Sequence, residues 1–548
     1  MINPAWLVSL LPCFASTTLA LTDSFDTREA TVDGIHNALF SRLTTCREVV
    51  SAFISRIEEF NPTVNAVISL NPDALSLADE LDINLASGNA TGSLFCVPVL
   101  LKDNYDAVGM NTTGSNVALV NNKPLADAPV VAAFKKAGAI ILGKANLHEL
   151  ALEGLSVSSL GGQTVNPYDH TRTPGGSSGG TGAAIASNFA VLGTGTDTVN
   201  SMRSPASANS LFSFRPTRGL ISRSGVIPIS YTQDALGTMA RNPKDLAVAL
   251  TVMASVGYDP SDNVTAQIPP EIRNRDYSTL LYGRSLKGLR FGLLDGFWNH
   301  TASDETTPVN DVMAATIEQL TAAGVEMVNI TETVYNALNI SASLDVQTYE
   351  YRELLDEYLA SSRLTGSPRP TSFNEIYTRD DFLVIPAQYN NVKNAFNRST
   401  GDPAYFAAQR GIQNLTETLR KTFASNNLDA IIYPEQKNLV VKIGSPSQSG
   451  RNGILAALTG FPVVTVPVGF SRPTEDAPIG VPIGMEVLGR PWSEDLLLSV
   501  AQRIYEIKPV RRMPPFANGT IETKAYEEVP TIKPNRGNIS PAYPFGTL

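Results

Sequence analysis

Histidine and cysteine are scarce in this chain, which holds four of the first and three of the second in 548 residues. The histidines, at positions 36, 148, 170 and 300, show no metal-ligand spacing, so no metal is expected. One cysteine, Cys13, lies in the N-terminal apolar stretch, leaving Cys46 and Cys96 for the rest of the chain. A fold built on disulfides is thereby excluded, although those two are compatible either with one bridge or with two buried thiols. A basic block is also missing. The formal charge is -10, which argues against nucleic acid as a partner, because phosphate binding wants clustered Lys and Arg. Beyond the N-terminus no run approaches the ~20 apolar residues of a membrane span. What remains, 43% hydrophobic, 17% charged and 7% aromatic, is the composition of a soluble globular protein.

The N-terminus has an apolar run from Ala5 to Ala15 followed by Thr18-Leu19-Ala20, a small-x-small site. It reads as a secretory signal over residues 1–20, cleaved after Ala20, although the basic residue usual ahead of such a run is missing. Ten Asn-x-Ser/Thr sequons, at Asn89, Asn111, Asn263, Asn299, Asn329, Asn339, Asn397, Asn414, Asn518 and Asn538, point the same way. Composition alone would give about half as many, so the expectation is a secreted, extracellular glycoprotein.

Thr45-Cys46-Arg47-Glu48 is a capping-box pattern, and apolar residues follow at helical spacing from Val49 to Phe60, where Asn61-Pro62 is expected to stop the helix. Cys96 to Leu101 reads as a buried strand with Lys102 at its C-terminal end. A helix over 130–137 and a strand over 139–142 continue an alternation that implies a mainly parallel sheet covered by helices. In such sheets, sites gather beyond the carboxyl ends of the strands, where Lys102 stands. Residues 259–440 read as helical elaboration around a strand at 287–294. Core patterning returns at 430–434 and 460–470, a helix closes the fold at 494–507, and a Pro-rich tail follows from 511 to 548.

The stretch from Gly175 to Pro205 presents Ser177, Ser178, Ser187 and Ser201 among small residues and contains no histidine. A hydroxyl needs a base within hydrogen-bond reach to act as a nucleophile. One reading takes Gly175-Gly176-Ser177-Ser178-Gly179 as a nucleophile elbow, which requires a preceding strand and a later histidine. The preceding segment is loop-like, and the only later histidine is His300, inside a sequon. The other reading makes Lys102 the base and a second serine the proton relay.

That second reading is carried by motifs: VPVLLKDNYD around Lys102, LGKANLHEL around Lys144, GGQTVNPYDHTRTPGGSSGG, GTDT followed by SMRSPAS, and FRPTRGLISRSGVIP. DALGTMARNPKD and ALTGFPVVTVPVG follow them later in the chain. Together they resemble the amidase signature family, densely over about 95–245 and more thinly over 21–510. The resemblance implies one large α/β domain with a mixed, mainly parallel central sheet covered by helices on both faces. It implies Lys102 as base, Ser177 as a relay serine after a cis peptide, and Ser201 as nucleophile. Backbone amides of the segment Thr198, Val199, Asn200 and Ser201 would hold the oxyanion. Asp197 and Arg203 are expected to form an ion pair shaping that loop, Ser178 to bond within the site or cap the next helix, and His148 to pack. The activity implied is cofactor-free hydrolysis of a small carboxamide to an acid plus ammonia or an amine.

Relatives usually carry Gly-Gly before the nucleophile, where this chain has Val199-Asn200. A β-branched residue disfavours positive φ, so the loop must direct its amides with negative φ at Val199 or have changed shape. A glycan on Asn111 would stand close after the Lys102 loop. Two other functions share these motifs: an A-type amidotransferase chain, which needs partner subunits, and a catalytically silent binding protein using the same cleft. Neither the substrate nor the oligomeric state is written in the motifs.

Overall fold

Eleven strands carry the fold in the computed structural model, which describes residues 25–89 and 92–548; the expected leader lies outside the described residues. In chain order they are β1 (Val67–Leu70), β2 (Pro98–Lys102), β3 (Ile140–Ala145), β4 (Leu192–Asp197), β5 (Phe212–Arg215) and β6 (Ala235–Ala240). β7 (Arg290–Leu294), β8 (Glu326–Ile330), β9 (Ala430–Pro434), β10 (Val463–Phe470) and β11 (Pro482–Leu488) complete the set. They form one mixed sheet in the order β1-β3-β2-β4-β6-β5-β10-β11-β9-β7-β8, flanked by helices. Pairing is parallel in two blocks, β3-β2-β4 and β9-β7-β8, and antiparallel through the centre that joins them. The first block is the strand-helix-strand alternation read from the sequence. Its carboxyl ends deliver Lys102 and Asp197 to the same edge of the sheet.

Near the N-terminus, the capping box forms as read: Thr45 Oγ1 accepts from the Glu48 N–H, and Glu48 Oε2 accepts from the Thr45 N–H. The helix runs from Cys46 to Val64, through Pro62 and past the expected stop. Pro62 falls in the last turn, where its missing N–H forfeits a single ladder bond. Termination comes from Asn65 at φ 52° and from Asn61, whose Oδ1 accepts from the N–H groups of Ala66 and Val67. Cys46 and Cys96 are joined by a disulfide with Cα atoms 5.7 Å apart, tying this helix to the entry of β2.

The region after 259 holds more strand than expected. EMVNI forms β8 beside β7 at the sheet edge, where its half-exposed residues show no strong alternation to read. Helices at Gln347–Ala360, Phe373–Tyr377 and Tyr389–Asn397 bury Tyr351, Leu355, Phe373 and Val392 against Leu119, Leu147 and Leu150. These helices thereby lean over the loops that follow β2 and β3. From Arg511 onward the chain is irregular yet pinned: Arg511 pairs with Glu29, and Asn538 exchanges hydrogen bonds with the Gln163 backbone.

Candidate active site

Lys102 ends β2 with its backbone N–H bonded to Thr194 Oγ1 at 3.0 Å and its side chain wholly buried. β4 reads Leu-Gly-Thr-Gly-Thr-Asp, so Thr194 and Thr196 alternate with glycine and project toward the same face. Lys102 Nζ lies 2.7 Å from both Ser177 Oγ and Thr196 Oγ1. No carboxylate among the described residues bonds to it. Burial therefore lowers the Lys102 ammonium to about 7, with the more distant charges of Asp197 and Asp234 opposing only in part.

The Gly176–Ser177 peptide is cis. Ser177 accepts the backbone N–H of His148 on its carbonyl at 3.0 Å, and the Ser178 N–H reaches the Ser201 carbonyl at 3.0 Å, so the two serine segments are stitched together by their backbones. Ser178 does not cap the helix Gly179–Ala186; its hydroxyl donates to the Thr196 carbonyl at 3.3 Å, within the site. Ser201 Oγ makes no hydrogen bond among the described residues. Its side chain lines a cavity of about 360 Å³ together with Thr198 and Val199.

Arg203 organises the loop between Asp197 and Ser201. Its Nε and Nη2 grip Asp197 at 3.0 and 3.1 Å, its Nη1 forks onto Glu486 at 2.9 and 2.8 Å, and Nη2 also reaches the Val199 carbonyl. Arg215 adds a second cation to Asp197 at 2.7 Å. Burial alone would raise the Asp197 carboxyl, but these two guanidinium groups hold it at about 2. The expected Asp197–Arg203 pair is thus part of a buried four-member network. Asn200 turns away from the cavity, its Nδ2 3.0 Å from Glu435 Oε1, and Glu435 is raised to about 8 by burial and by the neighbouring Glu486. Gly453 makes room for this turn: a Cβ there would meet the Val199 carbonyl at 2.3 Å and Asn200 Cβ at 2.4 Å.

Neither Val199 nor Asn200 has positive φ. The backbone N–H groups of Val199, Asn200 and Ser201 donate to no group among the described residues, so three successive donors are left free in the segment that ends at Ser201. The loop keeps free amides without the glycines usual there.

No histidine joins these serines. His300 is exposed beside Asp295, and residues 164–174, directly ahead of Gly175, form no strand, which removes the nucleophile-elbow reading. His148 is buried, its ring bonds to neither serine, and burial lowers it to about 4. Among the described residues no cluster of His, Cys, Asp or Glu could hold a metal, and no helix is long and apolar enough to cross a membrane. Asn111 lines a separate cavity with Asp103 and Met110, and its Nδ2 donates to the Val120 carbonyl at 2.6 Å. Sequence patterns alone leave Thr196, Arg215, Glu435 and Glu486 unassigned. Thr196 and Arg215 lie inside the quoted motifs, and the alternating threonines of β4 are the available signal; Glu435 and Glu486 lie more than 230 residues from their partners Asn200 and Arg203, where no local pattern reaches.

Comparison with known proteins places the chain in a family. The profile of the Amidase family matches residues 48–498. The A-type chain of glutamyl-tRNA(Gln) amidotransferase from Acinetobacter baumannii (strain AYE) is 32% identical over 494 residues, covering 86% of this chain and 94% of that protein. The solved structure of native peptide amidase from Stenotrophomonas maltophilia superposes with a TM-score of 0.76 at 30% identity, over 89% of this chain and 99% of the other. The corresponding amidotransferase chain from Thermotoga maritima, 23% identical, shares the fold with a TM-score of 0.68 over 91% and 99% of the two chains. The chain belongs to the amidase signature family.

Proposed function

We propose that the protein hydrolyses a carboxamide C–N bond through an acyl-enzyme on Ser201. The observation that carries the reading is the 2.7 Å contact between Lys102 Nζ and Ser177 Oγ in a buried setting without a bonded carboxylate. A lysine lowered to about 7 is substantially neutral near pH 7 and accepts a proton. Neutral Lys102 takes the Ser177 proton, Ser177 takes the Ser201 proton, and Ser201 Oγ attacks the amide carbon. The negative charge that develops on the carbonyl oxygen meets the N–H groups of residues 199 to 201. As the C–N bond breaks, the proton returns through Ser177 to the departing nitrogen, giving ammonia or an amine. Water then attacks the ester, its proton restoring Ser201, and the acid leaves.

The test is ammonia or amine release from simple and aryl amides by wild type, Ser201→Ala and Lys102→Ala. Turnover that both substitutions abolish supports the reading; turnover that survives Ser201→Ala contradicts it. Similarity to A-type amidotransferase chains supports a second reading, in which this chain passes ammonia to a partner. Release of free ammonia by the isolated chain at a rate unaffected by added partner proteins counts against it.

Secretion is a further part of the proposal. A disulfide between Cys46 and Cys96 suits an oxidising compartment, and seven sequon asparagines, at 89, 263, 329, 339, 397, 414 and 518, are exposed. N-terminal sequencing of the exported protein should begin at Leu21; retention of Met1 would overturn it.

A further inference from the structure

We infer that the cavity over Ser201 selects amides that carry a carboxylate, and that Arg398 is the group that binds it. The inference rests on the proposed function for its chemistry but on the cavity wall for its argument. Two cations line that wall, Arg398 and Arg451, with two carboxylates, Glu153 and Asp345. Three of these four are occupied within the protein. Arg451 Nη1 lies 3.1 Å from the buried Glu153 Oε1, and Glu153 also takes the Gly154 N–H and the Gln388 side-chain amide. Asp345 accepts both the backbone and side-chain N–H groups of Gln347.

Arg398 is different. It forms no ion pair among the described residues. Its guanidinium stacks over the Tyr349 ring at 4.8 Å, and Nη1 donates to Thr348 Oγ1 at 2.8 Å. A guanidinium offers five N–H donors, so most of its capacity is unspent while its plane is already fixed. Stacking on an aromatic face removes rotamer freedom before any ligand arrives, and the planar fork matches a carboxylate bidentately. Arg451 and Glu153 cancel one another, Asp345 is held by the neutral Gln347, and Arg398 is the cation of this wall that has no carboxylate partner among the described residues.

The cavity, about 360 Å³, is small for an enzyme pocket and holds a compact molecule whole. Ser201 and Arg398 line the same cavity, so one compact substrate can present an amide to the first and a carboxylate to the second. The wall also bears Ser341, Gln347, Thr348 and Asn391, which suits a polar chain and not a long alkyl one.

The experiment compares glutaramate with valeramide, the same chain with and without the carboxylate. Binding is measured by calorimetry on Ser201→Ala protein, which needs no turnover, and kcat/KM is measured on the wild type. Glutaramate is expected to bind at least tenfold tighter than valeramide. Adding Arg398→Met should erase that ratio, and Arg398→Lys should restore part of it, which a merely structural arginine would not do. Equal binding of the two amides, no measurable glutaramate binding, or a ratio that survives Arg398→Met would overturn the inference. Selective binding without turnover of any amide by the wild type would instead overturn the proposed hydrolysis and leave the anion site standing.

Discussion

Two lysines end neighbouring parallel strands and are equally buried, yet they are different chemical objects. Lys102 closes β2, and Lys144 lies opposite Leu101 on β3. Lys144 has a carboxylate, Asp103, at 3.3 Å, and its Nζ also donates to the carbonyls of Tyr105 at 2.7 Å and Asn111 at 3.0 Å. Every one of those partners holds a cation. Lys102 has two hydroxyls, Ser177 and Thr196, which serve an amine as readily as an ammonium. Burial pushes both lysines down, and only at Lys144 is an ion-paired carboxylate present to oppose it. What makes a buried lysine a base is therefore the lack of a counter-charge, and what makes it a structural tie is the presence of one.

The contrast breaks most sharply with methionine at each position. Lys102→Met should cut kcat/KM by about 10²–10⁴-fold, the range of a lost general base, while leaving melting at pH 6 no lower than wild type. The sign follows from the lowered value. Between about 7 and the ordinary lysine value of 10.5, the folded state binds fewer protons than the unfolded chain, so Lys102 makes stability rise with pH across that window. Below pH 7 it is a buried charge that methionine removes. Lys144→Met should do the opposite and unfold the protein more easily, by about 3–5 kcal/mol, because Asp103 is left buried and unpaired. Chemical denaturation of both variants checks the pair; equal losses of stability would erase the distinction.

A milder test moves one lysine toward the other. In the wild type, kcat/KM should rise with pH through a midpoint near 7, as Lys102 loses its proton. Thr196→Asp places a carboxylate beside Nζ, holds the ammonium, and should raise that midpoint by about one unit, lowering activity at pH 7 by about fivefold. An unmoved midpoint would assign the titration to another group.

Much of this was legible in the sequence, and the exceptions follow a rule. Lys102, Ser177 and Ser201 were readable as candidates because each sits in a local motif, at a strand end or between small residues, and the start of the 46–64 helix because its capping box is contiguous. The end of that helix was misplaced because the stop is set by Asn65 at φ 52° and by the Asn61 side chain, and not by Pro62. The hold on the loop before Ser201 was not legible: Asp197–Arg203 is a six-residue interval, but Arg203–Glu486 and Asn200–Glu435 span 283 and 235 residues. The same holds for Arg398, which meets Ser201's cavity only because the 347–397 helices fold back over the loops after β2 and β3. Val199 looked like an obstacle to free amides, and the backbone answers it with negative φ and the space at Gly453.

The central claim is that Ser201 is a nucleophile activated through Ser177 by Lys102, and mass spectrometry after treatment with a fluorophosphonate tests it most directly. The account predicts a single adduct on Ser201, absent in Ser201→Ala and formed at least a hundredfold more slowly in Lys102→Ala. An adduct on Ser177 in place of Ser201, or labelling of Ser201 at the same rate without Lys102, would contradict it.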